Sequence, residues 1–441
     1  MAKRRIPGLA LAIVENGVVT KMRGYGYANL EHDVPVTPDS VFELASVTKQ
    51  FTAAAIMVLV EAQKIALDDS ITQYLPPAPE SWRAMTIRHL LTHTAGLAGL
   101  GDGFRALYAG GVRANYTTPQ MLAAAMKDPV SPAPGERWQY SDVGYFLLGM
   151  VIEKVSGQRY AEFLKQRFFQ PLGMTASSVL DQSVIVKNRV AGYTLRDGQH
   201  VHIRRSTQFE LVSHFGVFTS ARDLAKWEIA LASGKVLKPS SLEQMWTPLT
   251  FSDGTHHNYA FGWWVSTNRL GRRVITHSGI TGTEYSRYPD DKLAIVVLTN
   301  LGRYVSSLEI NAWGLTHGVA RLYIPKLAHT SANVQPDASG MAARMHGFLK
   351  DIAAGGSLET MVPKLRSEVT PIGRKIMAHR LAQVETFTFL ACEESKDSGE
   401  RFGAVVAQIC YFRTTAPAEL RYYAFYLTAD GQVADFGSYT D

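Results

Sequence analysis

Cysteine is scarce in this chain: Cys392 and Cys410 are the only two among 441 residues. A small disulfide-built scaffold is thereby excluded. The two lie on consecutive expected strands joined by the polar turn Glu393–Arg401, and simple hairpin pairing across that turn does not oppose them. Both are therefore read as free thiols. Long apolar runs are lacking as well. None reaches the roughly 18 residues that span a bilayer, so no transmembrane segment is expected. Lys3-Arg4-Arg5 is the only basic run behind a net charge of +6, which argues against a nucleic-acid partner. At the N-terminus the apolar run is broken by Pro7, ended by Glu15 and followed by no Ala-x-Ala-type cleavage site. A cytoplasmic protein and an exported one written without its leader both fit. His89 and His93 stand at metal-ligand spacing, but Leu90 occupies the place of the glutamate in His-Glu-x-x-His. No metal or cofactor is expected.

What is present is an ordinary globular composition, 46% hydrophobic and 19% charged, in a chain long enough for more than one core. Leu9–Val14 and Val18–Tyr27 flank Glu15-Asn16-Gly17, a hairpin signal. A mostly helical region follows, with helices over Thr48–Gln63, Val143–Val155 and Ala221–Ala232. Strands return at Tyr259–Val265, Arg273–His277, Gly282–Tyr288 and Leu293–Thr299, and a helix from Val305 to about Leu322 closes this part. Strands at both ends with helices between predict one α+β domain over 1–325 whose N-terminal hairpin joins the later strands. A polar linker is expected at 326–337. A small α+β accessory domain then fills 338–441, with helices first and an antiparallel sheet after.

Three short segments carry candidate chemistry. In Ser46-Val47-Thr48-Lys49 a hydroxyl and an amine sit three residues apart at the head of the apolar run QFTAAAIMVL. On a helix they share one face, within reach of each other. Unpaired first-turn N–H groups there point at any negative charge developing near Ser46. A serine needs a base to become a nucleophile, and a desolvated lysine can act as one. The plainer alternative is a capping serine and a solvated lysine. Tyr140-Ser141-Asp142 lies just before a helix, where it reads either as a site mouth or as a capping segment with a packed aromatic. His277-Ser278-Gly279 ends an apolar strand, and its glycine admits a second backbone at close range.

In this order and on this background, the three segments resemble the serine β-lactamase and penicillin-binding-protein superfamily. Within it, they are most similar to the class C-like branch of β-lactamases, D-alanyl-D-alanine carboxypeptidases, D-aminopeptidases and esterases. Flanking segments are similar too, among them His89-Leu-Leu-Thr-His-Thr-Ala-Gly96 and Pro171-Leu-Gly-Met174. The resemblance covers roughly residues 6 to 322. It implies a β-lactamase-like fold, an antiparallel sheet with a helical subdomain, and acyl transfer through a covalent intermediate. Ser46 would be the nucleophile, and Lys49 or Tyr140 its base, with His277 completing the catalytic set. Asp142, Gly279 and Ile280 would contact substrate, the N–H groups of Ser46 and Ile280 holding the oxyanion.

Two residues depart from the family pattern. His277 stands where β-lactamases usually carry a lysine, and a histidine is only partly charged near neutral pH. Asp142 replaces the usual asparagine; an ionised carboxylate cannot donate to a substrate carbonyl, but it can hold Lys49 charged. Both departures favour a small-molecule ester or D-amino peptide substrate over a β-lactam, with weak β-lactamase activity as a side reaction. The alternatives are a β-lactamase or D-alanyl-D-alanine carboxypeptidase proper and, in another class, a non-catalytic acyl-ligand sensor. The oligomeric state stays open, a homodimer among the options.

Overall fold

A computed structural model describes residues 1, 5–75, 78–97, 99, 101–109, 114–196, 198–203, 207–251, 256–268, 270–302, 315–327, 335–367, 369, 371–395, 400–401, 404–415 and 420–440. Two units are distinguished: Ile6–Ser266 with Arg273–Ser307, and Met1–Arg5 and Thr267–Arg272 with Leu308–Asp441.

The first unit is built on a sheet with β1 (Gly8–Glu15), β2 (Val18–Asn29), β3 (Val34–Pro35), β4 (Trp264–Thr267), β5 (Arg273–Gly279), β6 (Thr283–Tyr288) and β7 (Leu293–Thr299). Its strand order is β4-β5-β6-β7-β1-β2-β3. The N-terminal hairpin thus joins the late strands through antiparallel β1–β7 pairing, from Leu9 opposite Thr299 to Glu15 opposite Leu293. Asn16 and Gly17 close the hairpin at φ values of +53° and +77°, the left-handed turn that Asn-Gly favours. All seven residues of β7 are buried, and so are Gly8–Val14 of β1. Continuous apolar runs rather than alternation are what strands covered on both faces require. The segment expected as a strand over Tyr259–Val265 is strand only from Trp264, because Gly262, at φ +76°, turns the chain just before it.

Three helices matter most for the site: α1 (Lys49–Glu61), α2 (Asp142–Ser156) and α3 (Ala221–Ala232). Helix α1 is buried continuously from Lys49 to Met57, its apolar residues packed in the core and its polar Lys49, Gln50 and Thr52 each hydrogen-bonded inside. Its Phe51 packs on Trp227 of α3, ring centroids 4.4 Å apart. Burial of one such side chain contributes about 1.5–3 kcal/mol. Ser141 caps α2 by accepting a hydrogen bond from the Gly144 N–H, and Gly157 ends it in the left-handed conformation.

The second unit contains α4 (Leu315–Tyr323), α5 (Met341–Ala354) and α6 (Pro371–Leu381). Its sheet runs in the order β8 (Thr386–Glu394), β9 (Gln408–Thr415), β10 (Leu420–Leu427) and β11 (Val433–Thr440). Phe348 of α5 meets Phe425 and Phe436 edge-on over this sheet. Residues 305–314 of the expected closing helix and 328–334 of the expected linker lie outside the described residues; α4, which the sequence places with the first domain, falls in the second unit.

The free-thiol expectation is overturned: Cys392 and Cys410 form a disulfide, with Cα atoms 4.0 Å apart. Strand β8 runs on through Glu394, and the β8–β9 connection holds a small pairing of its own between Glu400–Arg401 and Ala404–Val405. The effective turn is therefore longer than Glu393–Arg401, and this register sets Cys392 directly opposite Cys410.

Candidate active site

Ser46 lies in a single 3-10 turn, Ala45–Thr48, that runs straight into α1 at Lys49. Ala45 immediately before it has φ +47°, a conformation that side-chain-bearing residues avoid, and the elbow carries that strain beside the serine. The end of β5 closes on this turn. A Cβ on Gly279 would stand 2.2 Å from the Leu44 carbonyl oxygen, so only glycine permits the approach. Thr281 and Thr283 fasten it by donating to the Glu43 and Leu44 carbonyls at 2.7 and 2.8 Å. Gly279 and Ile280 are thereby placed alongside the serine turn, with Ile280 42% exposed.

Lys49, buried at its head, donates from Nζ to three acceptors: Asp142 Oδ1 at 2.6 Å, the His214 carbonyl at 2.9 Å and Ser46 Oγ at 3.2 Å. Tyr140 donates its hydroxyl to the same Ser46 Oγ at 2.9 Å. Burial works against the lysine charge, but the Asp142 carboxylate and the Tyr140 oxygen more than offset it, so the ammonium is held above the ordinary lysine range. For Asp142, burial pushes upward and the Lys49 charge outweighs it, leaving the carboxyl below its usual value. Burial raises the Tyr140 phenol despite Lys49. The resting set is thus serine hydroxyl, ammonium, carboxylate and neutral phenol.

His277 is buried and turned away from solvent. Its Nδ1 lies 2.9 Å from the Ser278 carbonyl, which can only accept, so Nδ1 carries the hydrogen. Nε2 then accepts from the Tyr259 hydroxyl at 3.1 Å. Burial, reinforced by Lys49, pushes its pKa down to about 3, so this imidazole is neutral and supplies no cation. The sequence treats the residue as partly charged; its sealed position makes it wholly neutral near pH 7.

Sequence reasoning did not assign a role to several neighbours. His93 accepts the Ser141 N–H on Nδ1 at 3.1 Å, and its own carbonyl accepts the Gln139 N–H at 2.7 Å, so it clamps the backbone on both sides of Tyr140. Its ring lies 4.3, 4.5 and 5.1 Å from those of Tyr140, Tyr259 and Tyr145. Half-buried Trp138 stacks on His257 at 4.1 Å and meets Trp264 at 5.3 Å, making an aromatic wall beside Tyr140. The His89–His93 spacing does not make a shared metal site: His89 Nδ1 instead accepts the Thr86 N–H at a helix start. Among the described residues, no group of three or more His, Cys, Asp or Glu side chains could hold a metal, and no helix is long and apolar enough to cross a membrane.

A family model described as Beta-lactamase matches residues 1–316. The chain is 30% identical over 317 residues to penicillin-binding protein 4* of Bacillus subtilis (strain 168), covering 68% of this chain and 69% of that protein. Among solved structures, the octameric penicillin-binding protein homologue from Pyrococcus abyssi aligns over 100% of this chain and 94% of its own, with 24% identity and a TM-score of 0.64. The D-amino acid amidase from Ochrobactrum anthropi SV3 covers 68% of this chain and 88% of its own, with 26% identity and a TM-score of 0.57.

Proposed function

The chain belongs to the β-lactamase family, as a serine hydrolase of the β-lactamase and penicillin-binding-protein type, and on that premise we propose that it cleaves a carboxylic ester or a D-amino amide through an acyl-enzyme on Ser46. The single observation that carries this reading is the convergence of the Lys49 amine, at 3.2 Å, and the Tyr140 hydroxyl, at 2.9 Å, on Ser46 Oγ. That is hydrogen-bond reach for moving the serine proton away and returning one to the leaving group. The N–H groups of Ser46 and Ile280 hold the oxyanion, one such donor being worth about 3–4 kcal/mol of barrier. Packing of Gly279 against Leu44 supports this by setting the end of β5 beside the serine turn. Acyl transfer of this kind needs no metal.

Two features favour esters and amides over β-lactams. A substrate carboxylate finds no cation at His277, because burial keeps that imidazole neutral. Asp142, already engaged by Lys49, offers no donor to an acyl amide. The test is mass spectrometry after incubation with a fluorophosphonate and with a penicillin, beside turnover of nitrocefin, p-nitrophenyl esters and D-amino-acid amides. An adduct on Ser46 with ester or amide turnover exceeding nitrocefin turnover is expected. No adduct with either probe would make the chain an acyl-ligand sensor rather than a hydrolase.

A further inference from the structure

We infer that Asp142, standing where the family carries asparagine, is the terminal acceptor of the serine proton, with Lys49 as a relay that keeps its charge. The inference rests on Ser46 being the nucleophile, as proposed above. The geometry requires some such acceptor. Three hydrogen bonds leave Lys49 Nζ, toward a carboxylate, a carbonyl and the Ser46 hydroxyl, so the nitrogen has no lone pair facing the serine while all three protons are in place. Only one of its three partners can take a proton from it, and that is Asp142 Oδ1, at 2.6 Å the nearest of the three. Transfer to Asp142 leaves a lone pair on that side of Nζ, and a turn of about 120° about the Cε–Nζ bond brings it to face Ser46 while a remaining N–H again points at the His214 carbonyl.

The step balances. As Ser46 Oγ bonds to the substrate carbonyl carbon and the π pair moves to oxygen, the serine proton passes to Nζ and an Nζ proton passes to Asp142 Oδ1. Lysine begins and ends as an ammonium, and the carboxylate ends as a carboxylic acid. As the oxyanion pair re-forms the carbonyl and the bond to the leaving group breaks, the Tyr140 phenol gives its proton to the leaving atom. Nζ, which lies 4.8 Å from the Tyr140 ring centroid and interacts with its hydroxyl, replaces that proton, and the carboxyl proton returns to Nζ. Between the two steps the Lys49 ammonium is balanced by the substrate oxyanion, and the pair is neutral again once the proton has returned, so the site carries no net charge at any stage.

Other ionisable neighbours do not compete. His214 and His277 face Asp142 from outside its own helix, and burial holds both near a pKa of about 3. His93 is likewise held well below its ordinary range by burial. Burial keeps the phenols of Tyr140, Tyr145 and Tyr259 protonated. In the neutral range the proton has only the Lys49–Asp142 pair to reside on.

The experiment is the pH profile of Ser46 phosphonylation by a fluorophosphonate, with fluoride as the leaving group, in the full chain and in Asp142→Asn and Asp142→Glu. Wild type should stay active into mildly acidic solution, its acid limb set by a carboxylate. Asp142→Asn must deprotonate Lys49 itself, so it should lose about 100-fold near pH 6.5 and regain about tenfold per pH unit upward. Asp142→Glu should keep the wild-type limb, even if slower. Thermal melting checks folding, and asparagine suits the first position of α2 as well as aspartate does. An Asp142→Asn curve lowered at every pH with its acid limb unmoved would overturn the inference, as would a wild-type acid limb above about pH 8. Failure of wild-type Ser46 to label at any pH would instead overturn the nucleophile reading, and this relay with it.

Discussion

On α3, Glu228 grips Arg287 of β6 through two parallel contacts, Nε to Oε2 at 2.7 Å and Nη2 to Oε1 at 3.1 Å, whereas Lys49 and Asp142 meet across α1 and α2 through one. The first pair is closed on every side: Tyr285 donates to the same carboxylate, and the Trp246 ring covers the guanidinium at 4.2 Å. Its side chains are 6% and 7% exposed. The second pair is open at one end, with the lysine side chain at 0% and the aspartate at 26%. Chemistry follows the same division. A guanidinium never gives up its proton, so Glu228–Arg287 can only fasten α3 to the sheet. An ammonium can, and one of its donors is spent on a serine. Two ion pairs at similar depth thus serve stability in one case and proton movement in the other, decided by which cation is used and what its remaining hydrogens touch.

Removing one member from each pair should separate these roles most sharply. Lys49→Met is expected to cut turnover by about 10³–10⁴-fold, as loss of a nucleophile's activator does. Its melting temperature should move little, since the orphaned Asp142 carboxylate reaches water. Glu228→Gln should do the reverse, costing about 3–5 kcal/mol in denaturant unfolding because the Arg287 charge stays buried and unneutralised. Its kcat in the cold, where the variant is still folded, should stay within about twofold of wild type. A Glu228→Gln protein that unfolds like wild type would erase the distinction.

Acid should sharpen it next. Burial holds His214 and His277 at about 3 in the folded chain, against an ordinary 6.5 that both regain on unfolding. Below 6.5 the unfolded chain binds these protons and the folded one does not, so stability falls with pH down to about 3 and is flat above neutrality. At pH 4.5 the loss should approach about 2–3 kcal/mol for each histidine. His277→Gln should remove one share, read as a smaller difference between unfolding at pH 7 and at pH 4.5. An unchanged difference would mean that His277 is charged in the folded state.

How far the sequence shows all this depends on how local each cause is. Ser46 and Lys49 are one turn apart, so their proximity follows from helix geometry alone. Helix α3 and strand β7 occupy the spans expected for them, because uninterrupted apolar periodicity bounded by turn residues sets both ends. Tyr140 and Asp142 are legible as a helix start, yet nothing local says that this start faces α1. The His214 carbonyl beside Lys49 has no side-chain signature, so sequence reading misses it. The Tyr259–His277 bond is hidden in the same way, because a tertiary turn at Gly262 brings the phenol there. Cys392 and Cys410 misled because strand register depends on loop length, and the loop folds a second small hairpin inside itself.

His93 offers the smallest effect and the finest test, since its hydrogen bonds go to the backbone on both sides of Tyr140. Its φ of +60° is one that asparagine tolerates well and leucine does not. Asparagine also offers an oxygen close to the position of imidazole Nδ1, able to accept the Ser141 N–H. His93→Asn should therefore keep kcat within about threefold, while His93→Leu, which fills the space but lacks the acceptor, should lose about 10–50-fold in kcat with KM little changed. If the clamp works through Tyr140, the leucine change should cost almost nothing further in a Tyr140→Phe background, because the hydroxyl it positions is already gone. Losses that multiply in the double variant would show that His93 serves the aromatic packing around it and not the alignment of the Tyr140 hydroxyl with Ser46.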